Sequence, residues 1–101
     1  EDPEQVRQVD ARIAANLKRH DIKRPVYIMP IVESALGAIK AYEIAIASKN
    51  LCGLAIGLKD YTADLGTPRT TEGRESCWAR CQLVNGARAA GVQPSTDRLI
   101  A

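Results

Sequence analysis

Apolar residues recur at Val6, Val9, Ile13 and Leu17, with Arg7, Asp10 and Lys18 on the other side, which is the spacing of one buried helix face. Ahead of them, Asp2 can cap, Pro3 suits the first helical position and Gln5 completes a capping-box pair. The pattern predicts a helix over 3–20. After the polar connection Asp21 to Arg24, residues 25–32 form a nearly continuous run of β-forming residues, the signature of a strand covered on both faces. Ser34 then caps a helix predicted over 34–48, with Ala35, Ile39, Tyr42 and Ile46 as its stripe. A second apolar run over 51–58 contains Gly53 and Gly57, and predicts another strand. Residues 59–71 read as a polar loop, 72–90 as a helix stopped by Gly91, and 92–100 as a third strand whose start Pro94 makes irregular.

Helix, strand, helix, strand, helix, strand is the alternation of βα units and a parallel sheet, so the fold class expected is α/β. Each unit takes about 30 residues, and a closed (β/α)₈ barrel takes about 250. The 101 residues therefore supply about two and a half units, a partial TIM barrel and a single incomplete segment. Unpaired strand edges and uncovered apolar helix faces would follow, so the chain is expected to form a homo-oligomer or to lack barrel segments that complete it.

Composition narrows the function classes. With 46% hydrophobic and 26% charged residues the chain is that of an ordinary globular protein. A formal net charge of +2, with lysines and arginines scattered among nearly as many acids, gives no reason to expect nucleic acid. No apolar stretch approaches the ~20 residues of a membrane helix, and no signal-peptide pattern opens the chain, so a cytoplasmic protein is expected. Cys52, Cys77 and Cys81 are too few and too oddly numbered for a disulfide framework. Cys77 and Cys81 read as small core-facing residues, as do Met29 and Trp78 among the large ones. His20, the only histidine, reads as a cation at a helix C-terminus rather than a catalytic base.

The candidate chemistry lies in two acids. Glu33 ends the first predicted strand and Asp60 lies just beyond the second, one α-then-β step later. Consecutive parallel strands of this kind usually lie side by side, ~4.8 Å apart, so both carboxylates can converge on the rim where such folds do their chemistry. Converging carboxylates repel unless a proton or cation sits between them, and Mg²⁺ suits one or two carboxylates plus water and substrate oxygens. Mn²⁺ accepts similar coordination. Spacing alone leaves open exposed loop acids, or ion pairs with Lys59 or Arg69.

The stretches "IVESALGAIKAYEIA", "GLKDYTADLGTPRTTEGRE" and "WARCQLVNGARAAGVQ" resemble the central part of the citrate lyase β-subunit family, the citryl-CoA lyases and their HpcH/HpaI-type relatives acting on citramalyl-CoA and malyl-CoA. The most specific portion runs from Asp60-Tyr61 through Asp64-Leu65-Gly66 to Arg69-Thr70 and Glu72-Gly73. The resemblance implies a TIM barrel, an oligomer, a CoA thioester as substrate, and Mg²⁺ held by Glu33 and Asp60. It implies reverse Claisen cleavage of a 3-hydroxyacyl-CoA such as citryl-CoA, giving oxaloacetate and acetyl-CoA. The family's substrate arginine and its C-terminal lid have no counterpart in the chain, so catalysis by the isolated segment is not expected. Lys59 stands where many relatives carry Glu.

Around that pair, Arg69 is the candidate for a phosphate contact on CoA, because its guanidinium offers a bidentate fork. Asp64, Arg69, Glu72 and Arg74 otherwise read as a loop-internal network and helix cap. Gly37 and Gly57 admit either a ligand or close packing. Two other functions compete: a non-catalytic assembly module, and a metal-dependent pyruvate aldolase of related fold acting on 2-keto acids without CoA.

Overall fold

The computed structural model describes residues 1–94. Helix α1 spans Pro3–Arg19, and its start follows the capping chemistry of the sequence: Asp2 accepts the Gln5 amide at 3.1 Å while the Gln5 side chain accepts the Asp2 amide at 3.2 Å. Strand β1 (Ile31–Val32), helices α2 (Ala35–Ile39) and α3 (Ala41–Ala45), and strand β2 (Gly53–Ile56) follow. Then come α4 (Leu58–Leu65), a 3₁₀ turn (Arg74–Ser76), α5 (Cys77–Ala90) and β3 (Gln93–Pro94). The three strands form a parallel sheet in the order β1-β2-β3, an α/β arrangement.

The strands are shorter than their apolar runs. Where 25–32 predicts a strand, regular pairing is confined to Ile31–Val32, with one isolated bridge between Ile28 and Leu51. Pro30 interrupts the ladder because it has no amide hydrogen, although its carbonyl still accepts from Ala55 at 3.0 Å. At the other end of the chain, the expected strand 92–100 is seen only as Gln93–Pro94, and its remainder lies outside the described residues. Close approach of β2 to β3 needs Gly53: a Cβ there would stand 2.6 Å from the Gln93 carbonyl oxygen.

The helix predicted over 34–48 is two short helices, and its expected stripe does not face the core. Ile39, Tyr42 and Ile46 are exposed, and the buried positions are Gly37, Ala38, Ala41, Ile44 and Ala45. The reason is the partner helix. A Cβ on Gly86 of α5 would lie 3.0 Å from the Tyr42 amide nitrogen, so the two backbones nearly touch and only small residues fit between them. The break falls at Lys40, two residues before Tyr42.

Two further expectations are overturned. Met29 and Trp78 are 53% and 56% exposed rather than core. Cys77 and Cys81 are exposed as well, because α5 buries Ala79, Leu83, Gly86 and Ala87 and the two thiols sit on the other side. The core gathers Val6, Val32, Ile44, Leu54, Ile56, Tyr61 and Leu83 with several alanines. Among the described residues no helix is long and apolar enough to cross a membrane.

A polar tie fixes α1 to the segment entering β2. Asp10 accepts from the Ser48 hydroxyl at 2.8 Å and from the Asn50 side-chain amide at 2.9 Å. Those bonds, Asn50 first, together with the Lys49 charge hold its carboxyl below the ordinary value of 3.8, against a small opposing effect of burial. A lowered folded-state pKa contributes stability that is present above 3.8 and lost as pH falls through the folded value. Asp10→Ala is expected to cost about 1 kcal/mol at neutral pH, the scale of a solvated charged hydrogen-bond pair. Urea unfolding should show the gap between wild-type and variant midpoints constant above pH 3.8 and narrowing as pH falls from there through the lower folded value; a gap that does not change with pH would contradict the assignment.

Candidate functional site

Side chains alternate along β1, with Val32 buried at 3% and Ile31 exposed at 58%. Glu33 is next on the Ile31 side. In the ladder Val32 pairs with Ile56, and the Gly57 amide donates to the Val32 carbonyl at 2.9 Å, so Glu33 stands beside Gly57. A Cβ on Gly57 would meet Glu33 Oε1 at 2.7 Å and its Cγ at 2.8 Å. The glutamate thus lies directly over bare backbone, in space that a side chain at position 57 would fill.

Gly57 is also the N-cap of α4, and Asp60 sits in that helix's first turn. This corrects the sequence expectation of a loop over 59–71, since residues 58–65 are helical. The signal was present in the chain: Leu58, Tyr61, Thr62 and Leu65 recur at helical spacing, and Gly66 ends the helix with φ of +76°. The consequence is favourable for two acids. Asp60, and Glu33 lying over the N-cap, are both at the positive end of the α4 dipole.

Glu33 and Asp60 line one open cleft together with Ile31, Ser34, Ala63 and Asp64. Around it the backbone is tied down. Ser34 Oγ accepts the Gly37 amide at 3.0 Å, capping α2, and the Asp64 carboxylate accepts the Ala35 amide at 2.8 Å. Of the readings that the sequence left for Asp64, the structure shows a helix-capping contact to α2. Tyr61, buried beside it, has its phenol pushed up by desolvation first and by the Asp64 charge second.

Arg69 is not brought to this cleft. It lines a second one with Leu58, Thr70, Glu72, Gly73 and Arg80. There Glu75 accepts from the Thr70 hydroxyl at 2.6 Å and its amide at 3.0 Å, bonds that hold its carboxyl below the usual range. Arg80 donates to the Gly73 carbonyl at 2.7 Å and to Ser76 Oγ at 3.1 Å. That network shapes the turn before α5.

Among the described residues no three His, Cys, Asp or Glu side chains gather closely enough to hold a metal ion unaided. Of the carboxylates that line the first cleft, Glu1, Glu33, Asp60 and Asp64, the last is engaged by the Ala35 amide, and Glu33 and Asp60 are hard oxygen donors of the kind Mg²⁺ takes when water and substrate complete its shell. The glycine cradle under Glu33 leaves that carboxylate room at the rim.

Comparison with known proteins adds an independent line. A family model described as HpcH/HpaI aldolase/citrate lyase matches residues 1–98. The citrate lyase subunit beta of Haemophilus influenzae is 47% identical over 66 residues, 65% of this chain and 23% of that protein. A malyl-CoA/β-methylmalyl-CoA/citramalyl-CoA lyase of Chloroflexus aurantiacus is 36% identical over 73 residues, 72% of this chain and 21% of that protein. Among solved structures, RipC from Yersinia pestis superposes with a TM-score of 0.65 and 28% identity, covering 80% of this chain and 37% of that one. The chain spans less than a quarter of the length of these two curated relatives.

Two glycine substitutions separate packing from the site. Gly57→Ala meets the flexible end of Glu33, which can swing away, so unfolding free energy should change by less than ~1 kcal/mol while the glutamate leaves its cradle. Gly53→Ala meets the Gln93 backbone and should cost about 1–3 kcal/mol. Chemical denaturation measures both, and side-chain NMR of Glu33 reports the displacement.

Proposed function

The chain belongs to the HpcH/HpaI aldolase/citrate lyase family, and we propose that it is the part of a carbon–carbon lyase that holds the divalent metal, acting on a 3-hydroxyacyl-CoA thioester such as citryl-CoA. The observation that carries the proposal is the seating of Glu33 over Gly57, in one cleft with Asp60. Glu33 and Asp60 are the proposed ligands, for Mg²⁺ or alternatively Mn²⁺. A divalent ion there would supply Lewis acidity toward the hydroxyl and carboxylate oxygens of the acyl group.

The chain's own residues do the positioning. Glu33 is held on one side by the β1–β2 ladder and on the other by the absence of a side chain at 57. Asp60 is carried by the first turn of α4, and both carboxylates stand at that helix's positive N-terminal end. Cleavage of the carbon–carbon bond leaves an enolate on the acetyl-CoA fragment, which needs preorganised donors. We assign those donors, and the base, to parts of the barrel beyond this segment. Arg69, in the neighbouring cleft, is proposed as a contact for the CoA phosphates.

The exposed row Tyr27, Met29 and Ile31 supports the remainder of the proposal. Such a face suits the interior of a (β/α)₈ barrel, so the segment is taken as about two and a half of its units, completed by further staves or by other copies of the protein. A cytoplasmic setting accords with a CoA-thioester substrate.

Cleavage of citryl-CoA, citramalyl-CoA and malyl-CoA by the full-length protein, with and without Mg²⁺, tests the proposal. Glu33→Gln and Asp60→Asn should each lower the Mg²⁺-dependent rate by about 100-fold or more, the scale of losing one strong electrostatic contact to reacting oxygens. Pyruvate release from hydroxy-keto acids without CoA would favour an aldolase instead. Stable subunit association with no turnover of any of these substrates would favour an assembly module.

A further inference from the structure

We propose that Asp64 is a positioning residue for the Glu33–Asp60 pair: by accepting the Ala35 amide, its carboxylate clamps the strand end that carries Glu33 to the helix that carries Asp60. The inference rests on the metal reading above. It starts from one long-range bond, Ala35 N–H to Asp64 Oδ2 at 2.8 Å, which joins residues 29 apart in sequence. Ala35 opens α2 two residues after Glu33, and Asp64 lies one helical turn after Asp60 on the same side of α4. The bond therefore joins the two elements that carry the acids, beside the cleft that Asp64 lines with them.

Each acid's own element constrains it only partly. Glu33 is one residue past the end of β1 and one before the Ser34 cap, so strand pairing fixes one end of its backbone and the cap the other. Asp60 is fixed to α4, yet α4 is a two-turn helix with an unassisted glycine N-cap. Nothing in the β1–β2 ladder sets how far that helix leans from the start of α2. Tyr61 packs α4 on the core, and the Asp64 bond adds the direct tie from that helix to the start of α2, a charge-assisted bond to a backbone amide that is stronger than a neutral one. Asp64 is an acceptor already used by the protein, which separates its role from that of Glu33 and Asp60.

Outer partners of metal ligands typically change metal affinity by 10–100-fold when removed, so Asp64→Ala is expected to weaken Mn²⁺ binding by about 10-fold or more in the full-length protein. Electron paramagnetic resonance of free Mn²⁺ reads this without any turnover. Asp64→Asn keeps an acceptor for the Ala35 amide and should recover most of the affinity. Asp10→Ala removes a comparable carboxylate tie elsewhere and should lower stability without moving Mn²⁺ affinity. Unchanged affinity in Asp64→Ala, or equal losses in Asp64→Asn and Asp64→Ala, overturns the positioning role while leaving the metal pair standing. Loss of affinity in Asp10→Ala as large as in Asp64→Ala also overturns it, because general destabilisation then suffices. No Mn²⁺ binding by the wild type, or binding insensitive to Glu33→Gln and Asp60→Asn, overturns the metal reading and this inference with it.

Discussion

The parallel pairing of β1 with β2 is the constraint on which the site depends. Ile31 with Ala55 and Val32 with Ile56 set a register in which the next step must bring Glu33 alongside Gly57. Because strand side chains alternate, a slip of one residue would turn Glu33 to the helix-covered face and bring Val32 out. The burial of Val32 and Ile56, 3% and 5% exposed, therefore holds the carboxylate at the rim. Apolar packing at Val32, the residue next to the acid, thus specifies its position.

What the chain's pattern disclosed follows from how local each signal is. The start of α1 was legible because the capping box lies within four consecutive residues, and Ser34 and Gly91 were legible as cap and stop for the same reason. The facing of α2 and α3 was not. Which side of those helices is buried depends on α5, more than 40 residues on, reaching the chain at Gly86, and an apolar stripe of large residues loses to a stripe of small ones when backbones come that close. The thiols and Trp78 failed as core markers because α5 turns Ala79, Leu83, Gly86 and Ala87 inward, which leaves Cys77, Trp78 and Cys81 on its exposed side.

At the candidate site the split is similar. That Glu33 and Asp60 line one cleft follows from spacing, because one α-then-β step in a parallel sheet has a nearly fixed lateral displacement; singling them out from other rim acids took the family resemblance. Helix α4 was read as loop, hidden by the polar residues Lys59, Asp60, Thr62 and Asp64 that make up half of its eight positions. Those residues are polar for different reasons: Thr62 returns its hydroxyl to the Leu58 carbonyl at 2.9 Å, and Asp64 reaches across to α2. Arg69 is singled out in the sequence by its bidentate fork, which says nothing of place: the left-handed Gly66 turns the chain away after α4, and the arginine lines a separate cleft.

The exposed row that leads into β1 frames the cleft of the two acids. Tyr27, Met29 and Ile31 fall on the same side as Glu33, so a sequence that buries Ile28 and Val32 toward the helices presents an apolar face that ends in a carboxylate. In a single open sheet such a face would be costly, since large apolar side chains at more than half exposure invite association. In a closed sheet it is the expected filling, with the polar residue at the strand's C-terminal end marking the rim. The order from Tyr27 through β1 to Glu33, apolar below and acidic at the top, is therefore consistent with the direction in which the β1–β2 ladder already points: toward Gly57 and the N-terminus of α4, where the second acid waits.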